Sequence, residues 1–189
     1  MAAPDIGACV SAGIAGLKKN FVLHLVSTLL ISVVGGFSGG LLSGPMMVGY
    51  MRMLKVEEEG GTPQIGDIFK GFDDFVPALL AALLGSIAVS IGIFLCIIPG
   101  LLIMALIPVA VYLVAFGEKD GVNALKRAWV IVKENLVPSA LCSLVLAIIG
   151  SLGTILCGVG GLLTLPIAFI GMYHMAKQMV DGGAAVSAG

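Results

Sequence analysis

Residues 75–117 read FVPALLAALLGSIAVSIGIFLCIIPGLLIMALIPVAVYLVAFG, 43 positions without an Asp, Glu, Lys or Arg. One membrane-crossing helix takes about 20 apolar residues. The stretch is long enough for two, and Ile97-Ile98-Pro99-Gly100 near its middle supplies the break that a helical hairpin needs. Working outward, residues 135–176 form a second uncharged run of 42, interrupted at Gly158-Val159-Gly160-Gly161. A third run, residues 20–51, is 32 long and crowded by Gly35, Gly36, Gly39, Gly40 and Gly44-Pro45. Each arm of a hairpin there would reach roughly 24 Å, short of the ~30 Å hydrocarbon core. That run reads as a thin hairpin that crosses, or as a re-entrant loop that turns back.

Composition agrees with a membrane setting. Of 189 residues, 59% are hydrophobic and 11% charged, and the mean hydropathy is +1.12. An ordinary soluble domain has roughly 45–50% and 25%. A soluble enzyme with a solvated surface and a disordered chain are both excluded. The formal charge of −1 leaves no basic field for nucleic acid. The expected fold is all-α: one integral membrane domain over residues 1–189, a polytopic transmembrane bundle of about six helices. Its hairpins fall at about residues 5–56, 63–117 and 120–179. Every charged residue lies in segments 1–20, 52–74, 117–135 and 177–189. Three hairpins bring those segments to one face, which the positive-inside rule makes cytoplasmic. The reading is a multi-pass protein of the inner (cytoplasmic) membrane with both termini cytoplasmic. No A-x-A-like site follows Lys18-Lys19, so a cleaved signal peptide is not expected.

The hairpins look like copies of one another. A shift of 61 residues superposes Val76-Pro77 on Val137-Pro138, Leu95-Cys96 on Leu156-Cys157, Gly100 on Gly161 and Tyr112 on Tyr173. A shift of 54 brings Phe21-Val22 onto Phe75-Val76 and Pro45 onto Pro99. Small residues recur every fourth position along each first arm: Thr28, Ser32, Gly36; Ala78, Ala82, Ser86, Ser90; Ser139, Ser143, Ala147, Ser151. In lipid, helices associate where small side chains let backbones approach. The stripes are therefore read as packing surfaces that meet each other or the return arms, in preference to a hydroxyl-lined path. Ahead of each hairpin lies a short amphipathic helix in the interface. Leu125, Ala128, Trp129 and Val132 follow the Asp120 N-cap; Ile65, Ile68, Phe69 and Phe72 follow Thr62-Pro63; Val10, Ile14 and Leu17 follow Asp5. Lys126, Arg127 and Lys133 are placed to touch anionic head groups, unless the helix docks on the bundle itself.

Residues that carry chemistry are few. No charged side chain lies inside the uncharged runs, whereas ion-coupled carriers hold such groups at depth. His24 and His174 sit at the cytoplasmic ends of their arms and read as structural or interfacial, close enough to the surface to be wetted. Cys96 and Cys157 are equivalent in the repeat and read as free thiols or as a disulfide; Cys9 and Cys142 carry no signal. Tyr50, Tyr112 and Tyr173 read as head-group anchors. Glu57-Glu58-Glu59 before Gly60-Gly61 reads as a solvated loop. No nucleotide loop, nucleophile elbow or metal-ligand spacing is present, so no catalytic residue, cofactor or metal is expected.

Three stretches carry a family likeness: Gly44-Pro45 with Gly49-Tyr50; Ile98-Pro99-Gly100-Leu101-Leu102; and Gly117 to Trp129, continued by Val132-Lys133-Glu134-Asn135. Over most of residues 40–180 the chain resembles the integral membrane domain associated with bacterial glycerophosphoryl diester phosphodiesterases, and its stand-alone uncharacterised relatives. The resemblance implies a six-helix prokaryotic inner-membrane protein without catalytic residues. The expected function is non-enzymatic: organising membrane lipids or holding a membrane-protein partner, with homo-oligomers in view. The alternative is a small-solute transporter or oligomeric channel, and an enzyme acting on lipid stands third.

Overall fold

The computed structural model describes residues 3–95, 97–155 and 159–187. Among these the fold is all-helical, without a strand. Helix α1 (Ile6–Lys19) starts where the Ala8 N–H donates to the Asp5 carboxylate at 3.0 Å. The chain bends at Asn20 into α2 (Phe21–Phe37), turns through Ser38–Leu42 and returns as α3 (Ser43–Glu58). Gly39 and Gly40 take φ of 61° and 90° in that turn, a region open to glycine at no steric cost. A 3₁₀ helix (Ile65–Asp74) leads into α4 (Phe75–Leu95), followed by α5 (Ile97–Leu102) and α6 (Leu106–Ala115). Helix α7 (Gly121–Glu134) starts on the expected Asp120 cap, whose carboxylate accepts the Val122 N–H at 2.9 Å. Asn135 bends the chain into α8 (Leu136–Ile155), and α9 (Val159–Ser187) ends it.

Three helices form the interior. Helices α3, α6 and α9 touch one another and carry most of the large buried side chains, among them Met46, Met51, Met53, Val109, Val111, Ile170, Met175 and Met179. Helices α2, α4 and α8 pack around them. Each amphipathic segment docks on the bundle separately: the 3₁₀ helix lies on α3, α7 on α6 and α4, and α1 on α9. Glycines set the closeness of these crossings. A Cβ on Gly49 would stand 1.9 Å from the Ile68 carbonyl oxygen, and one on Gly121 would stand 2.3 Å from that of Pro77. One on Gly13 would stand 2.5 Å from the carbonyl oxygen of Ile167. Arg52 ties the layers: it donates to the Ala115 carbonyl at 2.9 Å and the Lys70 carbonyl at 3.0 Å, and it pairs with Asp74.

The all-helical class stands, while the expected six crossing helices are not established by helix length and composition. Among the described residues one stretch, Ile65–Phe94, is long and apolar enough to cross a membrane. The number rises to three if each of two bent pairs counts as one span. These are α1 with α2, bent by 107°, and α7 with α8, bent by 106°. The second hairpin's return arm is broken at Ile103–Ala105. Pro108 is the cause: it has no N–H for the Met104 carbonyl, and its ring crowds that carbonyl. The chain there uses tighter bonds, Met104 N–H to Leu101 O and Leu106 N–H to Ile103 O. The segment after Pro63 is 3₁₀, not the α-helix its spacing predicts. Gly66 and Gly71 weaken an α-helix there, and Gly71 presses its backbone against Pro45 and Gly49. Cys96, Cys157 and the Gly158 end of the third break lie outside the described residues.

Candidate functional site

Three features open into or beneath the surface. The first is an apolar groove of about 530 Å³ between α2, α3, α4, α6 and α9. Its walls include Ile31, Leu79, Leu83, Ile107, Phe169 and Met172, and two of the predicted small-residue stripes run along it through Ser32, Gly36, Ala82 and Ser86. Those stripes thus close-pack only at their starts. Thr28 and Ala78 are buried, Ala82 is half-buried, and Ser32, Gly36, Ser86 and Ser90 are exposed. In the third stripe Ser139 and Ser143 are buried, Ala147 is half-buried and Ser151 is exposed. Thr28 bonds the His24 carbonyl, while Ser86 donates to Ala82 O at 2.6 Å and Ser139 to Asn135 O at 2.7 Å. Ser143 donates to the Met175 sulfur at 3.4 Å.

The second feature is a buried polar cluster. His24 Nδ1 shares a hydrogen bond with the Tyr50 hydroxyl at 3.0 Å. His24 Nε2 stands 2.9 Å from Glu57 Oε2, off the alignment of a hydrogen bond. Asn20 Nδ2 donates to Glu57 Oε1 at 2.6 Å, and Lys19 Nζ to the Glu57 carbonyl at 3.1 Å. His24 is fully buried and Glu57 is 5% exposed. Two expectations are corrected here. His24 is not wetted, because α3 closes over it. Glu57 is no loop residue: α3 runs on to Glu58 and turns this carboxylate inward.

The third feature is a cavity of about 470 Å³ between the C-terminal ends of α3 and α6 and the sides of α7 and α9. Its walls mix aromatic rings (Tyr112, Phe116, Tyr173) with charges. Lys177 donates to Glu58 at 2.5 Å, the Tyr173 hydroxyl donates to Glu58 at 3.0 Å, and Arg127 pairs with Glu118 at 2.8 Å. Burial raises the Glu58 carboxyl, but the bonds from Lys177 and Tyr173 outweigh it and hold the group below the usual carboxylate range. All three tyrosines are buried, Tyr112 at 6% exposure, so they are not a ring of head-group anchors. Each sits on an interior helix instead.

Lys126, Arg127 and Lys133 are exposed on α7, but Arg127 is engaged by Glu118. The buried face of α7 is Ala124, Ala128, Ile131 and Val132; Trp129 lies outside it, 45% exposed, between Lys126 and Lys133 along the helix. His174 is half-buried and packs edge-on against Tyr173. Cys9 and Cys142, which carried no sequence signal, meet as buried thiols between α1 and α8. No group of three His, Cys, Asp or Glu is placed to hold a metal among the described residues. Sequence spacing had no means of finding these long-range pairs: His24 and Glu57 are 33 positions apart and joined only by the α2–α3 hairpin.

Comparison with known proteins finds no matching curated protein and no matching solved structure. A family profile does match, and it spans residues 2–188, nearly the whole bundle described above. The chain therefore belongs to that family, DUF7847, a domain of unknown function.

Proposed function

We propose that the protein is a multi-pass bundle of the prokaryotic cytoplasmic membrane that organises lipid without catalysing a reaction. Six helices in three repeated hairpins, with both termini cytoplasmic, are the topology of this reading. The observation that carries it is the outer surface of α2, α4 and α8. Val22, Val76 and Val137, one at the start of each outer helix, are 68%, 60% and 60% exposed. Beyond them Leu29, Val33 and Phe37, then Leu83, Ile87 and Ile91, then Leu141, Ile148 and Leu152 face outward at helical spacing. Monomeric soluble proteins rarely expose contiguous apolar faces of this kind. In a bilayer the same faces meet acyl chains at no cost.

The apolar groove gives the reading its content. It opens on this lipid-facing surface, and acyl chains are the medium around it, so a lipid tail is its natural occupant. A chain held there would fix one lipid relative to the charged cytoplasmic end. The interior is packed with Met, Val and Ile rather than hydroxyls, which also supports a scaffold. The likeness to phosphodiesterase-associated membrane domains belongs to this proposal. The test is native mass spectrometry of protein released from nanodiscs of defined lipid. Retained phospholipid is expected, and Ala82→Phe, which fills the groove, should strip it. Equal lipid retention by the variant would overturn the reading.

The buried His24–Glu57 pair favours one other function, a small-solute transporter or oligomeric channel, because paired ionisable groups shielded from water can serve as a proton relay. Solute flux in proteoliposomes that vanishes in Glu57→Gln, with the fold intact, would put the transporter in place of the scaffold.

A further inference from the structure

We propose that the outer face of α7 seats the anionic head groups of cytoplasmic-leaflet phospholipids, with Trp129 in the head-group layer and Lys126 and Lys133 on the phosphates. This seat presupposes the membrane placement proposed above and adds the class of lipid that the bundle gathers. The sequence left α7 two uses, docking on the bundle or meeting head groups, and the helix has a face for each. Ala124, Ala128, Ile131 and Val132 are buried where α7 packs on α6 and α4. A Cβ on Gly121 would meet the Pro77 carbonyl oxygen at 2.3 Å and the Leu80 Cβ at 2.8 Å, so the helix starts too close to α4 to roll. Lys126, Trp129, Val130 and Lys133 follow at i, i+3, i+4 and i+7, one stripe along the opposite face. All four are exposed, Trp129 by 45% and Val130 by 44%.

The tryptophan indicates what covers this stripe. It is the one Trp of the chain, and a helix docked through alanines and branched aliphatics leaves it facing out beside Val130. An indole has an apolar body and a single N–H donor, which suits the layer between acyl chains and water. Helix α7 meets α8 at 106°, so with α8 crossing the bilayer α7 runs close to the membrane plane. The apolar outer face of α8 opens with Val137, seven positions after Val130. Charge gives the lipid its sign. Arg127 is held by Glu118, Lys177 by Glu58, Lys70 by Asp67 and Arg52 by Asp74. Lys126 and Lys133 have no carboxylate partner among the described residues. They stand roughly 10 Å apart along the helix axis, with the indole between them. The stripe holds no Asp or Glu; Glu134 lies off it, on the Arg127 side. Lysines at a cytoplasmic membrane surface are drawn to anionic lipid. A soluble acidic protein segment would answer the lysines but not an indole set beside acyl chains, whereas an anionic phospholipid answers both.

Trp129 is also the probe, since the chain has no other indole. The protein is placed in phosphatidylcholine nanodiscs with increasing amounts of a lipid brominated on its acyl chains, phosphatidylglycerol in one series and phosphatidylcholine in the other. Bromine quenches an indole on contact, and the mole fraction that half-quenches Trp129 measures its preference for each lipid. Half-quenching should come at a lower fraction of phosphatidylglycerol. Each lysine should contribute about fivefold to that preference. Lys126→Gln or Lys133→Gln should lower it by that factor, and the double variant should abolish it. Lys55→Gln, which removes one cation from α3, should leave it unchanged. Equal quenching by the two lipids, or a preference that survives the double variant, overturns the proposal. So does an indole quenched by aqueous iodide and by neither lipid, the result that an acidic protein partner or an idle face would give. The membrane placement fails separately. A chain that stays in solution without joining the nanodiscs overturns both readings, whereas one that joins them and shows no lipid preference overturns this one alone.

Discussion

His24 shows how much one buried side chain depends on its partners. Its ring meets the Tyr50 hydroxyl on one side and Glu57 on the other, with no water-exposed edge. Removing the ring strands a buried phenol and a buried carboxylate. His24→Leu should therefore cost about 1–3 kcal/mol of stability, the cost of leaving buried polar groups without their partner. The double variant His24→Leu/Glu57→Leu should cost clearly less than the sum of the two single changes. Thermal unfolding in detergent across the four proteins measures this, and simple additivity would mean the two groups do not interact. A second residue-scale expectation concerns acid. Lys70 Nζ lies 2.7 Å from the Asp67 carboxylate, which also accepts the Gln64 N–H at 2.8 Å; both depress its titration below the ordinary value. For a carboxylate depressed on folding, the stabilisation is complete above the unfolded value of about 3.9. It is lost as pH falls through the lower, folded value. Asp67→Asn should lower the melting temperature at pH 7 and leave it little changed at the acid end.

At the scale of elements, the close crossings set what each helix tolerates. Gly49→Ala would push the 3₁₀ helix off α3, because the new Cβ meets the Ile68 backbone, which has no other rotamer to take. A loss of about 1–3 kcal/mol is expected, as for other overpacked sites. Gly36→Ala meets nothing within 4 Å and should be neutral or slightly stabilising, since alanine is the better helix former. Comparing the two by thermal unfolding separates close packing from mere glycine content. Sequence patterning could see where such helices begin. The helix starts at Asp5 and Asp120 and the glycine-rich turn at Gly39-Gly40 were legible, because capping and turn chemistry act within three or four residues. The stripes were legible only in part. Their period of four is real along each arm, but burial depends on how far the neighbouring helices extend, and past Ala82 the wall recedes into the groove.

For the whole molecule, the expectation that all charged segments share one face gives the most direct test. In a cysteine-free background, Lys119→Cys should react with a membrane-impermeant maleimide only from the cytoplasmic side. Leu41→Cys, 51% exposed in the α2–α3 turn, should be reached only from outside. Labelling of both from the same side would mean the first hairpin is re-entrant or does not cross. Charge segregation along the sequence is what this expectation rests on. The candidate sites were less legible in it. Tyr112, Phe116 and Tyr173 come from two helices of different hairpins, and only the packing of α6 on α9 brings them together.

Helix α1 packs mainly on α9, where the Asp5 N–H donates to the Gln178 side chain at 2.9 Å. During synthesis α1 thus emerges well before the partner it packs on. At ~5–20 residues per second the wait is on the order of ten to thirty seconds. Through that interval the apolar side of α1 is uncovered, and the lipid surface or an insertion factor is what can shelter it. Docking of α1 on α9 is therefore a late step in the assembly of this bundle, and chains cut short before α9 would carry an uncovered α1.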